Sequence, residues 1–279
     1  MISYTFALFY LIKQQKLKKM KKVLAMMVMS ILGFTTFGQN KSETIVLVNG
    51  AWFDASCWES VTPLLNAKGR EVIAVNLPGH GTDTTSFATI TLQSYVNAVK
   101  NAIGDRKNVI LVGHSMGGIV ISQVAEKIPG QIKELIYLAA YLPKTGESLL
   151  SLAKQDADSH VGKYLQIDQN TGSATIAKDG IIDVFAADAP AQADASILNN
   201  FKAEPLAPLA TPVTLTDAKF GSVKKVYIHT ANDHAISFPF QETMVKNGRI
   251  SKEYTLSSSH TPFISMPDKL AAILIKESK

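Results

Sequence analysis

A serine framed by glycines is the first place where this sequence could do covalent chemistry. Gly113-His114-Ser115-Met116-Gly117-Gly118 follows an apolar run at 109–112 and precedes a helical pattern at 119–128. The bare spacing G-x-S-x-G arises often by chance, but between a strand and a helix it has a mechanism. Ser115 then sits on a sharp turn that lifts its hydroxyl above the sheet. Gly113 and Gly117 lack the Cβ atoms that would collide across so tight a corner. Met116 opens the helix, so its backbone N–H is free to face developing negative charge.

A serine hydroxyl needs a base to become a nucleophile. The histidines are His80, His114, His160, His229, His234 and His260. With a serine on such a turn the base comes last in the chain, after the acid that orients it. His260 fits, in Ser257-Ser258-Ser259-His260-Thr261-Pro262 between the last strand pattern and the last helix pattern. His114 belongs to the serine turn, and His80 to Leu77-Pro78-Gly79-His80-Gly81, where a plain turn residue is the better reading. His160 could at most touch substrate. The acid is expected at the end of the preceding strand, where Asp233 stands in Ala231-Asn232-Asp233-His234; Asp217 or an acid from residues 141–223 is the alternative. A tetrahedral oxyanion needs two donors. Met116 supplies one, and the loop Val48-Asn49-Gly50-Ala51-Trp52 after the first strand supplies the Ala51 N–H, with Gly50 letting the backbone come close. This scheme calls for no metal and no cofactor.

These residues need a rigid frame, and the rest of the sequence describes one. Short β-rich runs at 44–48, 72–75, 109–112, 135–138, 226–229 and 253–256 alternate with helix-period segments at 58–68, 92–103, 116–128, 239–247 and 267–276. The first four runs are apolar on both sides, as strands buried under helices on both faces must be. The class is therefore α/β, with a mainly parallel sheet flanked by helices. The alternation stops between Tyr141 and Val223, a stretch too long to be a structureless loop. Residues 148–157 and 191–201 have helical composition, Pro205, Pro208 and Pro212 mark an extended stretch, and no buried strand is evident. The segment at 141–223 reads as a cap inserted over one edge of the sheet.

The chain of 279 residues is long enough for one such domain, and Cys57, the lone cysteine, has no partner for a disulfide. Its charge of +5 invites a nucleic-acid reading until the lysines are located. Lys13, Lys16, Lys18, Lys19, Lys21 and Lys22 all precede the first acid, Glu43. Without them 22 bases face 23 acids, so the body carries no field that would attract phosphate or acidic lipid. Residues 1–39 read as a leader containing a secretory signal. Lys21 and Lys22 are its basic region, 23–34 its apolar core, and Thr35 to Gln39 its small and polar end. Met20 is the natural start, and the mature domain, 40–279, begins near Asn40 and is secreted or periplasmic. The apolar core is shorter than the roughly 20 residues of a spanning helix, which argues against stable membrane insertion. An uncleaved anchor built from both apolar stretches of the leader is the alternative.

Taken together, VLVNGAW at 46–52, CW at 57–58, PLL at 63–65, LPGHG at 77–81, GHSMGG at 113–118 and the Asp233 and His260 loops resemble the α/β-hydrolase superfamily. The resemblance spans residues 44–278 and is strongest to the branch of plant methyl-ester esterases, hydroxynitrile lyases and bacterial salicylate- and pyrethroid-type carboxylesterases. It implies the α/β-hydrolase fold, a Ser115–Asp233–His260 triad with Ala51 and Met116 as oxyanion donors, and cleavage of a small carboxylic ester through an acyl-enzyme. One departure is Asn49-Gly50, where the family usually has His-Gly; the Asn amide is expected to keep the loop in shape. The lyases of this branch place a Lys beside the catalytic His and a Thr in the oxyanion loop. Here those positions are Thr261 and Gly50, which favours hydrolysis. The alternatives are lyase chemistry and a non-catalytic ligand-binding member, since a fold does not fix a function.

Overall fold

Strands form where β-branched and apolar residues run unbroken, and helices where the apolar period changes. The computed structural model describes Tyr10, residues 13–20 and residues 43–279. Residues 13–20 are helical and exposed, whereas the apolar run at 23–34 and the expected cleavage region before Asn40 lie outside the described residues. Within Glu43–Lys279, a unit of its own, the elements are β1 (Thr44–Val48), α1 (Thr62–Asn66), β2 (Glu71–Val75), α2 (Leu92–Ile103), β3 (Val109–His114), α3 (Gly117–Lys127) and β4 (Ile132–Leu138). The cap follows with α4 (Leu149–Ala153), α5 (Val161–Tyr164), β5 (Leu165–Asp168), β6 (Ser173–Ile176), α6 (Ile181–Phe185), α7 (Asp194–Asn200), β7 (Glu204–Pro205) and α8 (Leu206–Ala210). The chain then returns to the core through β8 (Lys224–Thr230), α9 (Phe238–Gly248), β9 (Glu253–Leu256), α10 (Pro262–Ser265) and α11 (Pro267–Glu277).

The main sheet runs β2-β1-β3-β4-β8-β9 with every neighbouring pair parallel. Successive strand residues point to opposite faces. Val46, Val48, Leu111, Leu135 and Tyr137 therefore pack with Val96 and Val99 of α2 and Val120 and Val124 of α3. Ile45, Leu47, Ile110, Val112 and Ile136 pack on the other face with Leu65 of α1 and Leu270 and Leu274 of α11. Each such aliphatic side chain contributes about 1.5–3 kcal/mol by leaving water, so the six-stranded frame is stiff where β1 and β3 lie side by side. Strand order reverses there, because β2 lies on one side of β1 and β3 on the other. The loops after β1 and β3 consequently diverge and leave a crevice at the carboxyl ends of the strands.

The cap departs from its expected form in two places. It holds an antiparallel sheet β5-β6-β7 in which Ser173, Ala174 and Ile176 are buried, where no buried strand was expected. The turn is built by Asp168, whose carboxylate accepts the amides of Asn170 and Thr171, and by Gly172 at a φ of 64°. The stretch around Pro208 is not extended but helical. Pro205 precedes α8 and Pro208 falls in its first turn, where a missing N–H costs nothing.

Candidate active site

The serine turn is strained in the way its glycines require. Ser115 has a φ of 54°, a left-handed conformation that costs a non-glycine residue on the order of 1–3 kcal/mol. Its N–H donates to the Leu138 carbonyl at 3.2 Å, and its own carbonyl accepts from Tyr141 at 3.1 Å, so β4 and the start of the cap hold the turn. A Cβ on Gly113 would lie 2.6 Å from the Gly117 oxygen, and one on Gly117 would lie 2.7 Å from the Val48 oxygen. Both glycines are there for close approach, and Gly118 adds a third, with 2.2 Å to the Tyr141 oxygen.

His260 and Asp233 meet at the ends of β9 and β8. His260 Nδ1–H donates to Asp233 Oδ2 at 2.8 Å, with both side chains buried. The same carboxylate accepts from Thr230 Oγ1, from Gln241 Nε2 and from the amides of Ala235 and Ile236. Five donors fix its orientation and compensate its removal from water. Because Nδ1 carries the proton, Nε2 presents its lone pair. Nε2 is buried and has no hydrogen-bond partner among the described residues, so the expected bond from the Ser115 hydroxyl is not formed in this state. Such bonds are commonly loose before substrate binds. Phe185 connects the two: it lines the same cavity as Ser115, and its ring centroid lies 5.7 Å from that of His260.

The loop after β1 is held from below and from above. Asn49 is buried and donates through Nδ2 to the Gly50 carbonyl at 3.0 Å and the Phe53 carbonyl at 2.5 Å, so the amide does maintain the loop. Gly50 admits no side chain, since a Cβ would sit 2.7 Å from the Ser115 Cβ. The amides of Ala51 and Met116 donate to no acceptor among the described residues, which leaves both free beside Ser115. Trp52 has a φ of 67°. Its N–H donates to Glu204 at 3.0 Å, its indole N–H to the Ala174 carbonyl at 3.0 Å, and its carbonyl accepts from Lys202 at 3.1 Å. All three partners belong to the cap.

Glu204, which sequence reasoning missed, braces the loop after β1. It is fully buried and also accepts from Tyr95 Oη at 2.7 Å and His80 Nε2 at 2.8 Å. His80 does lie in a turn, but its second nitrogen, Nδ1, donates to the Pro78 carbonyl at 3.1 Å. An acceptor at each nitrogen favours the doubly protonated ring. Burial alone would lower its pKa, but the hydrogen bond and charge of Glu204 outweigh that and raise it. His114 is the opposite case. Burial and the neighbouring His260 hold its pKa well below the ordinary value, so it is neutral, and its Nε2 donates to the His260 carbonyl at 2.9 Å. His160 lies on Asp183 and His234 rather than among the cavity residues.

Ser115 opens into an apolar cavity of about 70 Å³ whose wall includes Ala51, Trp52, Leu149, Phe185, Leu209 and Ile236. The sheet edge thus combines a strained serine, a histidine with an oriented lone pair, two free amides and a dry wall, the parts needed for nucleophilic acyl transfer. Fold and site define a class, and the sequence profile of the alpha/beta hydrolase family matches residues 45–273; the chain belongs to that family. It is 32% identical over 251 residues to the candidate chloroplastic methylesterase 11 of Arabidopsis thaliana, covering 85% of this chain and 64% of that protein. It is 28% identical to a pyrethroid hydrolase of Sphingobium wenxiniae, covering 81% of this chain and 84% of that one. The crystal structure of a pyrethroid hydrolase from Sphingobium faniae superposes with a TM-score of 0.75 at 25% identity over 85% of this chain and 97% of that one. This chain spans less than two thirds of the length of the plant relatives that match it first, 64%, 57% and 57%.

Proposed function

We propose that the protein is a serine esterase that cleaves a small carboxylic ester through an acyl-enzyme on Ser115. The observation that carries this reading is the His260–Asp233 pair, 2.8 Å apart and buried, with Nε2 unpartnered and the ring against Phe185, which lines the cavity of the strained serine. In the reaction His260 Nε2 takes the Ser115 proton as Oγ attacks the ester carbonyl, and the Ala51 and Met116 amides receive the oxyanion. Asp233 stabilises the imidazolium that forms. The proton then passes to the departing alkoxide, and a water activated by the same nitrogen releases the acid. Neutral His114, whose tilted ring lies 4.5 Å from that of His260 between centroids, adds no charge that would oppose this step.

The cavity suggests the substrate. Its roughly 70 Å³ is far below the ~300 Å³ of a pocket for a larger ligand. A short apolar acyl group fits without parting the cap helices. Gly50 and Thr261 stand where the lyases of the branch differ, which supports hydrolysis. The relatives' names, methylesterase and pyrethroid hydrolase, are carboxylic ester hydrolases and agree with this reading. The test is turnover of p-nitrophenyl acetate with capture of Ser115 by a fluorophosphonate, located by peptide mass spectrometry. Release of aldehyde from cyanohydrins without ester turnover would replace the reading with a lyase, and neither activity would leave a ligand-binding protein.

We also propose export of the domain, supported by the basic pair Lys21 and Lys22 before the apolar run at 23–34. No described helix is long and apolar enough to cross a membrane. N-terminal sequencing from an exporting host should give a start near Asn40, and retention of Met20 would overturn it.

A further inference from the structure

We propose that His160, Asp183 and His234 form a site for a first-row divalent cation, zinc, nickel or copper, that ties the cap to the loop carrying Asp233. His160 precedes α5, Asp183 lies in α6, and His234 follows β8, so three separate elements deliver one ligand each. Their ligand atoms lie within 4.8 Å of one another. His160 Nδ1 is 3.0 Å from Asp183 Oδ2, and His234 Nδ1 is 3.1 Å from Asp183 Oδ1 and 3.0 Å from the Asp183 backbone carbonyl. Two ligands each about 2.1 Å from one ion, at angles of roughly 90–110°, are ~3.0–3.4 Å apart. The two carboxylate contacts lie in this range but run to different oxygens of Asp183, so the ligand atoms, now within 4.8 Å of one another, must close up around a single ion.

The chemistry of the cluster selects the ion. Two imidazoles with one carboxylate suit zinc, nickel and copper, whereas magnesium and calcium prefer oxygen alone. The rings lie 4.3 Å apart between centroids, with both Nδ1 atoms turned to the same carboxylate. A cation on the two Nδ1 atoms would take the place of the two protons that now bridge to Asp183, each imidazole binding in its neutral form with its proton on Nε2. The side chains are 41%, 35% and 37% exposed for His160, Asp183 and His234, so the ion can arrive from solvent and keep water in its remaining positions.

The site would act on the cavity through the backbone. Val161, Phe185 and Ala235 are cavity residues, and they lie one, two and one positions after the three ligands. One ion would therefore fix three parts of the wall, two from the cap and one from the core. None of this depends on the esterase reading, because the site is detected without turnover.

The experiment uses the full, tag-free chain. With zinc at about 100 times its dissociation constant the thermal midpoint should rise by roughly 5–10 °C, and magnesium and calcium should leave it unchanged. Bound copper should show hyperfine coupling to two imidazole nitrogens in its electron paramagnetic resonance spectrum. His160→Ala and His234→Ala should each lose at least the 10–100-fold in affinity that outer-shell changes cost at metal sites. No midpoint rise with any of the three ions, a rise that both variants retain, or a copper spectrum without imidazole coupling would reduce the cluster to a hydrogen-bonded bridge. Should His234→Ala fail to fold, His160→Ala and the wild-type copper spectrum decide the question.

Discussion

The carboxyl edge of the main sheet and the cap above it are built on opposite principles. At the edge, polar groups dominate and are held: Asp233 accepts five hydrogen bonds, and Asn49, Gln241 and Thr230 brace the loops around it. In the cap, helices of four to seven residues present Leu149, Leu209, Val161 and Phe185 as an apolar wall. A reaction that develops charge needs dipoles fixed in advance, and only the stiff sheet can fix them. Selecting an acyl group needs only volume and dryness, which short helices supply. The division is broken where buried carboxylates of the cap reach the core: Asp156 accepts from Ser237, and Glu204 holds Trp52, the residue after Ala51. The cap thus braces the loop after β1 as well as walling the cavity.

Changes at the sheet edge should strike turnover, and the largest effect is expected at the nucleophile. Ser115→Ala removes the attacking oxygen and should lower kcat by on the order of a million-fold, with residual rate from the oxyanion donors and binding. Turnover of p-nitrophenyl acetate within tenfold of wild type would exclude Ser115. Next comes Asp233→Asn, whose amide would donate to His260 Nδ1 and impose the wrong tautomer. The expected loss is about ten-thousand-fold in kcat with KM little changed. A loss below about tenfold, only ~1.4 kcal/mol of barrier, would mean that another carboxylate orients His260.

The exceptional residue sharpens the contrast. Glu204→Gln keeps the volume but leaves His80 without its charge partner and loosens the hold on Trp52. A displacement of about 1 Å at the oxyanion loop costs up to ~100-fold, so kcat should fall by 10–100-fold. Stability should fall by about 3–5 kcal/mol, as when one partner of a buried pair is removed. Urea unfolding together with steady-state kinetics separates the two, and unchanged kcat in a folded variant would return the cap to a passive wall. A true wall residue should behave differently. Leu209→Ala enlarges the cavity, so KM for butyrate over acetate esters should shift by less than tenfold while kcat for acetate stays near wild type; a hundred-fold loss in kcat would refute the division.

What was legible in the sequence follows the same line. β1, α2 and β9 fall at their expected bounds because their apolar periods are unbroken, and the strained turn at Ser115 and the Asp233–His260 pair lie where a strand–turn–helix and chain order put them. The contacts of Glu204 were not visible, since its partners His80, Tyr95 and Trp52 lie 124, 109 and 152 residues away and no spacing in the sequence joins them to it. The β5–β6 hairpin left a signal in Asn170-Thr171-Gly172, but its strands are four residues each and Ile167 points outward, 51% exposed, so alternation was weak. Gly248 reads as a helix stop, yet the left-handed residue is Arg249, at a φ of 54°. Gly248 is a glycine for another reason: a Cβ there would lie 2.4 Å from Leu142 Cδ2. Local chemistry and periodicity are visible in one dimension, whereas contacts between cap and core are not.

The smallest expected effect concerns the charge within that cap–core contact. If His80 is an imidazolium paired with Glu204, its folded pKa lies above the unfolded value of about 6.5. A raised pKa means that the folded state binds the proton more tightly, so the pair's contribution is complete below about pH 6.5 and is lost as pH rises through the folded value. His80→Gln can still donate one hydrogen bond to Glu204 but has no proton to lose. The stability difference between wild type and this variant should therefore be largest on the acid side and narrow as the solution is made alkaline. Urea midpoints of both proteins across the neutral range measure it directly. A difference that stays constant, or widens with pH, would mean that His80 is neutral when folded. The Pro78 carbonyl or the Glu204 carboxylate would then face a ring nitrogen without a proton, and the hold on Trp52 would have to rest on Tyr95 and Glu204 alone.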